Sequence, residues 1–220
     1  MTNEQDLQKL RELSRPFCIL EEQQILQFEK LLTLFTEYNA HTNLSAIREP
    51  EAIVIKHFVD SLALLSFESL SGKNILDIGT GGGFPGIPLL IAVPDLMATL
   101  LDSVAKKTRA CTHFMTELGI ARGTAVHARA QDLVIGPNKR DYIGAYDLVV
   151  SRATAAMPEI LSWAAPFITG EGSIILYKTS SPEELQAGKA AARKLGLKLS
   201  QTYKYILADQ ERYLFKFIRA

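Results

Sequence analysis

The sequence predicts an α/β fold built on a mostly parallel sheet of seven strands with helices on both faces. Apolar strand-like runs alternate with helical patterns from residue 71 onward, and the first run is followed at once by a glycine-rich turn. Two consecutive strand-like segments close the chain. We therefore predict an α/β core over residues 71–220 and, because only helical patterns precede it, a helical N-terminal extension over residues 1–70 packed on that core.

The extension shows two helical patterns. Residues 19–38 carry a repeating apolar stripe formed by Ile25, Phe28, Leu32 and Phe35. Residues 39–47 are predicted to form a loop. Pro50 suits the first turn of a second helix that runs to about residue 67.

Most of the core alternates strands and helices, with a loop between the third and fourth strands. Strands are predicted at 74–78, 97–101, 124–128, 147–150, 173–177, 197–206 and 212–218. Helices are predicted at 86–93, 104–118, 155–165 and 182–195. The last two strands form a hairpin, which gives the sheet one antiparallel strand.

Composition excludes several classes of protein. No segment of the 220 residues approaches the roughly 18–20 apolar residues of a membrane span, and "MTNEQDLQKLRELSR" is too polar for a signal peptide. Cys18 and Cys111 have no Cys or His neighbour at metal-ligand spacing, so we expect reduced thiols and no metal site. We expect a cytoplasmic protein with no membrane partner, and a monomer by default.

Charge is distributed unevenly although the net charge is +0. Residues 101–140 contain 7 basic and 3 acidic side chains. Such a segment can attract a polyanion, and it can equally be a solvated helix face.

The stretch "NILDIGTGGGFPGIPLL", residues 74–90, is the strongest functional signal. A glycine turn between a strand and a helix lets a nucleotide approach the backbone. The dinucleotide motif G-x-G-x-x-G is matched by Gly81, Gly83 and Gly86, which is a weak signal alone. The turn itself begins at Gly79, and in that register Phe84 stands where the motif requires its third glycine, which argues against a dinucleotide. Asp77 directly precedes the turn, where a carboxylate would repel a pyrophosphate but could hold a cationic ligand.

A second acidic residue supports an adenosine cofactor. Asp102 ends the second strand about 20 residues after the glycines, where a carboxylate accepts hydrogen bonds from ribose hydroxyls. Taken separately, the glycine turn could serve only to reverse the chain, and Asp102 could be a helix N-cap. Both in one βαβ unit favour an adenosine cofactor, with S-adenosylmethionine preferred over NAD.

The stretch "DIGTGGG" resembles the Asp-x-Gly-x-Gly loop of class I methyltransferases, which bind S-adenosylmethionine. Longer blocks resemble one family, the bacterial small-subunit ribosomal RNA methyltransferase G, also called glucose-inhibited division protein B: "DIGTGGGFPGIPL", "YNAHTNLSAIREPEAIVIKHFVDSL", "LLDSVAKKTRA", "ARAQDL" and "YDLVVSRATA". The resemblance covers roughly residues 20–180. It implies a Rossmann-like sheet of order 3-2-1-4-5-7-6 and methyl transfer from S-adenosylmethionine to N7 of a guanine near the decoding region of 16S ribosomal RNA.

The resemblance also implies site residues. The expected cofactor contacts are Asp77, Gly79, Thr80, Gly81, Phe84, Asp102, Ala130, Gln131 and Arg152. Gln131 departs from the family, which often has Glu at this position, so we expect weaker or altered cofactor binding. Arg152 is the expected catalytic residue in a positioning role, because guanine N7 has a free lone pair and requires no general base.

The remaining candidates concern RNA and the support of the pocket. Lys106, Lys107 and Arg109 begin a helix, where positive charge opposes the helix dipole, so they are candidates for RNA contact together with Lys178 at the end of the fifth strand. His57, Asp60 and Ser61 share a helix face and are expected to support the pocket. Trp163 could stack on an RNA base, but it sits in an amphipathic helix, so we expect it to pack in a core or interface.

Two other functions stay open from sequence. A small-molecule methyltransferase would lack a basic rim, and a non-catalytic cofactor- or RNA-binding module would bind without methyl transfer. The expected RNA partner is the small ribosomal subunit or an assembly intermediate of it.

Overall fold

The computed structural model describes residues 4–179 and 181–220, so the first three residues of the predicted extension lie outside the described part of the chain. The helices are α1 (Glu4–Ser14), α2 (Glu22–Thr42), α3 (Pro50–Ile53), α4 (Asp60–Leu62), α5 (Gly86–Ala92), α6 (Ala105–Glu117), α7 (Ala130–Leu133), α8 (Met157–Ala164) and α9 (Pro182–Lys194). The strands are β1 (Asn74–Ile78), β2 (Met97–Asp102), β3 (Gly123–His127), β4 (Tyr146–Arg152), β5 (Ile168–Lys178), β6 (Leu197–Leu207) and β7 (Gln210–Arg219).

The seven strands form one sheet in the order β3-β2-β1-β4-β5-β7-β6. Strand β7 pairs antiparallel with both β5 and β6, and the other neighbouring strands pair parallel. The predicted fold class and strand order are therefore confirmed.

Both faces of the sheet are covered, because consecutive residues of the central strands point into two different clusters of buried side chains. Ile75 of β1 belongs to the cluster that includes α1, α2, α5 and α6, whereas Leu76 belongs to the cluster under α8. Among the described helices, none combines the length and apolar character of a bilayer-spanning segment. Cys18 and Cys111 are free thiols, as predicted.

The N-terminal extension is fixed to the core through amide side chains of α2. The Gln24 side chain donates to the carbonyls of Ile91 and Ala92 at the end of α5, at 3.1 and 3.0 Å. Gln27 donates to the carbonyl of Leu118 after α6, at 3.2 Å. These bonds satisfy helix-terminal carbonyls that would otherwise have no partner.

Three features of the extension differ from the prediction. Helix α1 was not predicted, because only Leu10 and Ser14 of its residues are buried and the apolar pattern is sparse. The predicted loop at 39–47 begins only at Asn43, whose left-handed backbone (φ 51°) ends α2. The predicted second helix is continuous but irregular, since the π-helical segment Val54–Val59 connects α3 to α4.

Candidate functional site

A cavity of about 470 Å³ opens at the carboxyl ends of β1, β2, β3 and β4. It lies where the strand order reverses between β1 and β4, the usual ligand position in an open parallel sheet. Ile78 and Gly79 border it after β1, and Leu101 and Asp102 border it at the end of β2. Its volume is that of typical small-molecule and cofactor sites.

The turn after β1 requires glycine at its first position. Gly79 has a φ of 74°, and a Cβ there would lie 2.3 Å from the side chain of Thr154. The N–H groups of Gly79 and Thr80 both donate to the carbonyl of Leu101, at 2.8 and 3.0 Å. The turn is thus anchored to β2, and a ligand in the cavity meets bare backbone at Gly79.

Asp77 lies beneath this turn and is fully buried. Its Oδ2 accepts hydrogen bonds from the Thr80 hydroxyl at 2.7 Å and from the Gly86 N–H at 2.9 Å, which joins the turn to the start of α5. Burial raises the pKa of this carboxyl to about 6. Its Oδ1 has no hydrogen-bond partner within the described chain. Asp77 and Thr80 therefore organise the turn and do not line the cavity, so their predicted cofactor contact stays a prediction.

Asp102 is an acidic residue that borders the cavity at the end of β2. Its Oδ1 accepts from the Val104 N–H at 2.9 Å, and its Oδ2 accepts from the Gly81 N–H at 3.0 Å. Lys107 also lines the cavity, with its Nζ 3.6 Å from Asp102 Oδ2. These contacts fix the carboxylate at the rim between the glycine turn and α6. Gly81 contributes its N–H here and is not itself part of the cavity wall.

The far wall combines two predicted residues with two that sequence reasoning did not assign to the site. Ala130 and Gln131 of α7 line the cavity, as do Glu159 and Trp163 of α8. The last two are four residues apart and share a helix face. Trp163 packs against the hydrophobic cluster under α8, as expected, and α8 also turns this face toward the cavity. The sequence gives no signal for which face of α8 does so.

Phe84 lies away from the cavity, against the extension. Its ring stacks on the His57 imidazole with centroids 4.6 Å apart and an angle of 8° between the planes. The ring of Phe35 contacts it edge-on at 5.1 Å. The glycine loop thus presents backbone to the cavity and an aromatic anchor to the extension, and cofactor contact by Phe84 stays a prediction.

Arg152 ends β4 in a largely buried ion pair with the extension. Its Nη1 lies 2.7 Å from Asp60 Oδ2, and the two side chains are 11% and 10% exposed. The same Nη1 donates to the carbonyls of Lys56 and His57, at 3.3 and 3.4 Å. The Tyr205 hydroxyl donates to the other Asp60 oxygen at 2.8 Å. Arg152 lies beside the cavity and not in its wall, so its contact with cofactor or substrate stays a prediction.

His57 and Ser61 complete this support. Burial, followed by the charge of Arg152, lowers the pKa of His57 to about 3. The His57 Nε2 is 2.9 Å from the Ser45 hydroxyl. Ser61 donates to the His57 carbonyl and accepts at its own carbonyl from the Tyr177 hydroxyl at 2.9 Å. The structure thus brings His57, Asp60 and Ser61 together beneath the glycine loop and the end of β4.

The predicted RNA contacts lie in different surroundings. Lys106 is exposed, and its Nζ donates to the Thr42 carbonyl at 2.7 Å. Arg109 is exposed on α6. Lys178 is largely buried, where its Nζ lies 2.6 Å from a Glu184 carboxylate oxygen. RNA contact by these residues and by Lys107 stays a prediction.

Comparison with known proteins identifies the family. Residues 24–213 match the family model described as rRNA small subunit methyltransferase G. The chain is 41% identical over 191 residues to the Ribosomal RNA small subunit methyltransferase G of Desulfitobacterium hafniense, covering 86% of this chain and 78% of that one. It is 40% identical over 183 residues to the protein of the same name from Deinococcus deserti, covering 82% and 74%.

Solved structures agree on the fold. TYW2 of M. jannaschii, in complex with AdoMet, aligns with a TM-score of 0.56 at 16% identity, covering 70% of this chain and 72% of that chain. TrmN from Thermus thermophilus aligns with a TM-score of 0.58 at 14% identity, covering 76% and 53%. The family model matches most of this chain, and the sequence alignments cover most of this chain and most of each relative. The chain therefore belongs to the rRNA small subunit methyltransferase G family.

Proposed function

We propose that this protein transfers the methyl group of S-adenosylmethionine to N7 of a guanine in 16S ribosomal RNA, near the decoding region. Membership of the family gives the reaction class. The observation that carries the site is the cavity in which the glycine turn at Gly79 faces the carboxylate of Asp102.

The residues of the cavity fit S-adenosylmethionine. Gly79 lines the cavity and carries no side chain, so a ligand can approach its backbone closely. Each Asp102 oxygen accepts one backbone N–H and keeps a second lone pair, which suits a ribose hydroxyl. Gln131 is an exposed amide at the wall that we assign to the adenine. When bound, the cofactor supplies an electrophilic methyl group on a sulfonium.

The protein's task in this reaction is positioning. Guanine N7 attacks through a free lone pair, so the site needs no general base, and the rate depends on holding N7 in line with the methyl group. We assign this positioning to Arg152. The three bonds described for it all use Nη1, and the remaining donors of the guanidinium fork suit a base edge or a phosphate. Asp60 holds this fork at the end of β4.

We further propose that the substrate is the assembled small subunit or a late precursor of it, which also places the protein in the cytoplasm. The net charge of +0 supplies no general attraction to RNA, so ribosomal geometry should contribute to recognition. A short isolated RNA hairpin should then be a poor substrate. Equal rates on the hairpin and on the subunit would overturn this part of the proposal.

The experiment measures transfer of labelled methyl from S-adenosylmethionine to small subunits that lack their own modification, together with cofactor affinity by calorimetry. Asp102→Asn should weaken cofactor binding by about 10- to 100-fold, because a hydrogen bond to a charged group contributes about 1.5–3 kcal/mol. Asp132→Asn is the matched control, an exposed carboxylate on α7 whose loss should change affinity less than twofold. Cofactor binding without transfer to RNA would overturn the proposed function.

A further inference from the structure

Three exposed cations follow one another across the surface beside the cavity, and two of them belong to the N-terminal extension. Arg48 precedes α3, Lys56 lies in the π-helical segment, and Lys106 lies in the first turn of α6. All three residues are exposed, and within the described chain none forms an ion pair with a carboxylate. We call these three residues the cationic strip.

The first half of the strip is fixed at the carboxyl end of α2. Lys106 donates to the carbonyl of Thr42 at 2.7 Å, and Arg48 donates to the carbonyl of Asn39 at 3.4 Å. Carbonyls at a helix end carry partial negative charge, so these bonds hold the two cations in place without cancelling their charge. Lys106 also directly precedes Lys107, which lines the cavity. One end of the strip therefore lies at the rim formed by α6.

The other half leads to the opposite rim. The Ser45 hydroxyl, in the loop that carries Arg48, lies 2.9 Å from the ring of His57, the neighbour of Lys56. The Lys56 carbonyl accepts from Arg152 at 3.3 Å, and β4 ends there, immediately before the cavity wall. The strip thus runs from the α6 rim, across the extension, to the rim at the end of β4.

Capping of α2 accounts for the position of two of these cations but not for the third. Lys56 is exposed beside the largely buried Arg152, so local electrostatics gives no reason for a second positive charge there. Among nearby acids, Asp60 is already paired with Arg152 and Glu51 with Lys9, whereas Glu49 is exposed and forms no ion pair with Arg48. A polyanion running along the strip would supply the missing negative charge.

We propose that the cationic strip binds the phosphate backbone of the ribosomal RNA substrate and so aligns the target guanine with the cavity. This inference rests on the proposed function and adds to it that the extension, and not only the core, supplies the RNA-binding surface. Phosphate contacts of this kind fix the register of a nucleic acid without reading its sequence.

The test compares two triple variants with the same change in charge. The strip variant is Arg48→Gln, Lys56→Gln, Lys106→Gln. The control variant is Arg193→Gln, Lys194→Gln, Lys198→Gln, which removes three exposed cations from the end of α9 and the start of β6, at the opposite edge of the sheet.

Affinity for small subunits that lack the modification is measured from 50 to 300 mM KCl. Removing one cation that binds a phosphate should weaken binding about fivefold near 0.1 M salt, and removing three should weaken it about 100-fold. The logarithm of the binding constant falls linearly with the logarithm of the salt concentration, and removing all three cations should make this slope shallower by about 2. The control variant should stay within about twofold of the wild type. Cofactor affinity and melting temperature are measured for both variants. If the strip variant has a lowered melting temperature, Lys56→Gln alone provides the test, and it should bind the subunits about fivefold more weakly than the wild type.

The outcomes separate this inference from the proposed function. The inference would be overturned if the strip variant and Lys56→Gln both kept the affinity and salt slope of the wild type. It would also be overturned if the control variant bound subunits as weakly as the strip variant. If the wild-type protein binds cofactor but transfers no methyl group to subunits, the proposed function falls and the inference with it. If the wild type methylates subunits and the strip is without effect, only the inference fails.

Discussion

The buried imidazole of His57 should make the protein unstable in acid. Burial and the neighbouring Arg152 charge lower its pKa to about 3, whereas an unfolded chain protonates this ring near its ordinary value of 6.5. The unfolded state therefore binds the proton first as the pH falls. The stability that His57 contributes is fully present above pH 6.5 and is lost as the pH falls toward 3.

The magnitude follows from these two pKa values. Between pH 7.5 and pH 4, proton binding to this ring lowers the free energy of unfolding by about 3 kcal/mol, because pH 4 lies roughly 2.5 pH units below the pKa of the unfolded chain. Asp77 acts in the opposite direction. Its pKa is raised to about 6 in the folded protein, so the folded state binds this proton first and stability is gained as the pH falls from 6 toward 3.8. A comparison of variants is needed to isolate His57.

The substitution His57→Phe keeps an aromatic ring against Phe84 and removes the titrating group. Urea unfolding at pH 7.5 and pH 4 should show that the wild type loses about 3 kcal/mol more stability than the variant over this interval. His41→Gln, at an exposed position in the last turn of α2, is the control and should follow the wild type. Parallel stability curves for the wild type and His57→Phe would refute the reasoning.

Three further predictions concern the turn, the ion pair and the cofactor wall. Gly79→Ala should lower the unfolding free energy by about 1–2 kcal/mol or more through backbone strain and the contact with Thr154, and should weaken cofactor binding; unchanged melting and affinity would contradict this. Asp60→Asn should cost about 3–5 kcal/mol in urea unfolding because the buried charge of Arg152 loses its carboxylate, and a loss below about 1 kcal/mol would contradict it. Gln131→Glu should tighten cofactor binding about fivefold in calorimetry, because a charged acceptor strengthens a hydrogen bond by roughly 1 kcal/mol; equal or weaker binding would argue against an adenine contact.

Local patterns were sufficient to predict the β1–turn–α5–β2 unit. The strand residues, Gly79 and Asp102 lie within about thirty residues, and a right-handed crossover places consecutive parallel strands side by side. The backbone hydrogen bonds of the turn to β2 follow from that arrangement. The site was therefore predictable where neighbours in the sequence are also neighbours in space.

Contacts between distant parts of the chain were not predictable. Asp60 meets Arg152 across 92 positions and Tyr205 across 145, and no periodicity or spacing encodes such pairs. The direction of side chains in an irregular loop is equally hidden, so the stacking of Phe84 on His57 could not be foreseen. The boundary between extension and core at residue 70 stays a prediction.

The central claim is tested most directly by locating the methylated atom. Small subunits lacking the modification are incubated with the protein and S-adenosylmethionine, and their RNA is then reduced with borohydride and cleaved with aniline, which breaks the chain at N7-methylguanine. A single cleavage in 16S ribosomal RNA near the decoding region is the predicted result. Methyl label incorporated without cleavage, or with cleavage elsewhere, would contradict the account.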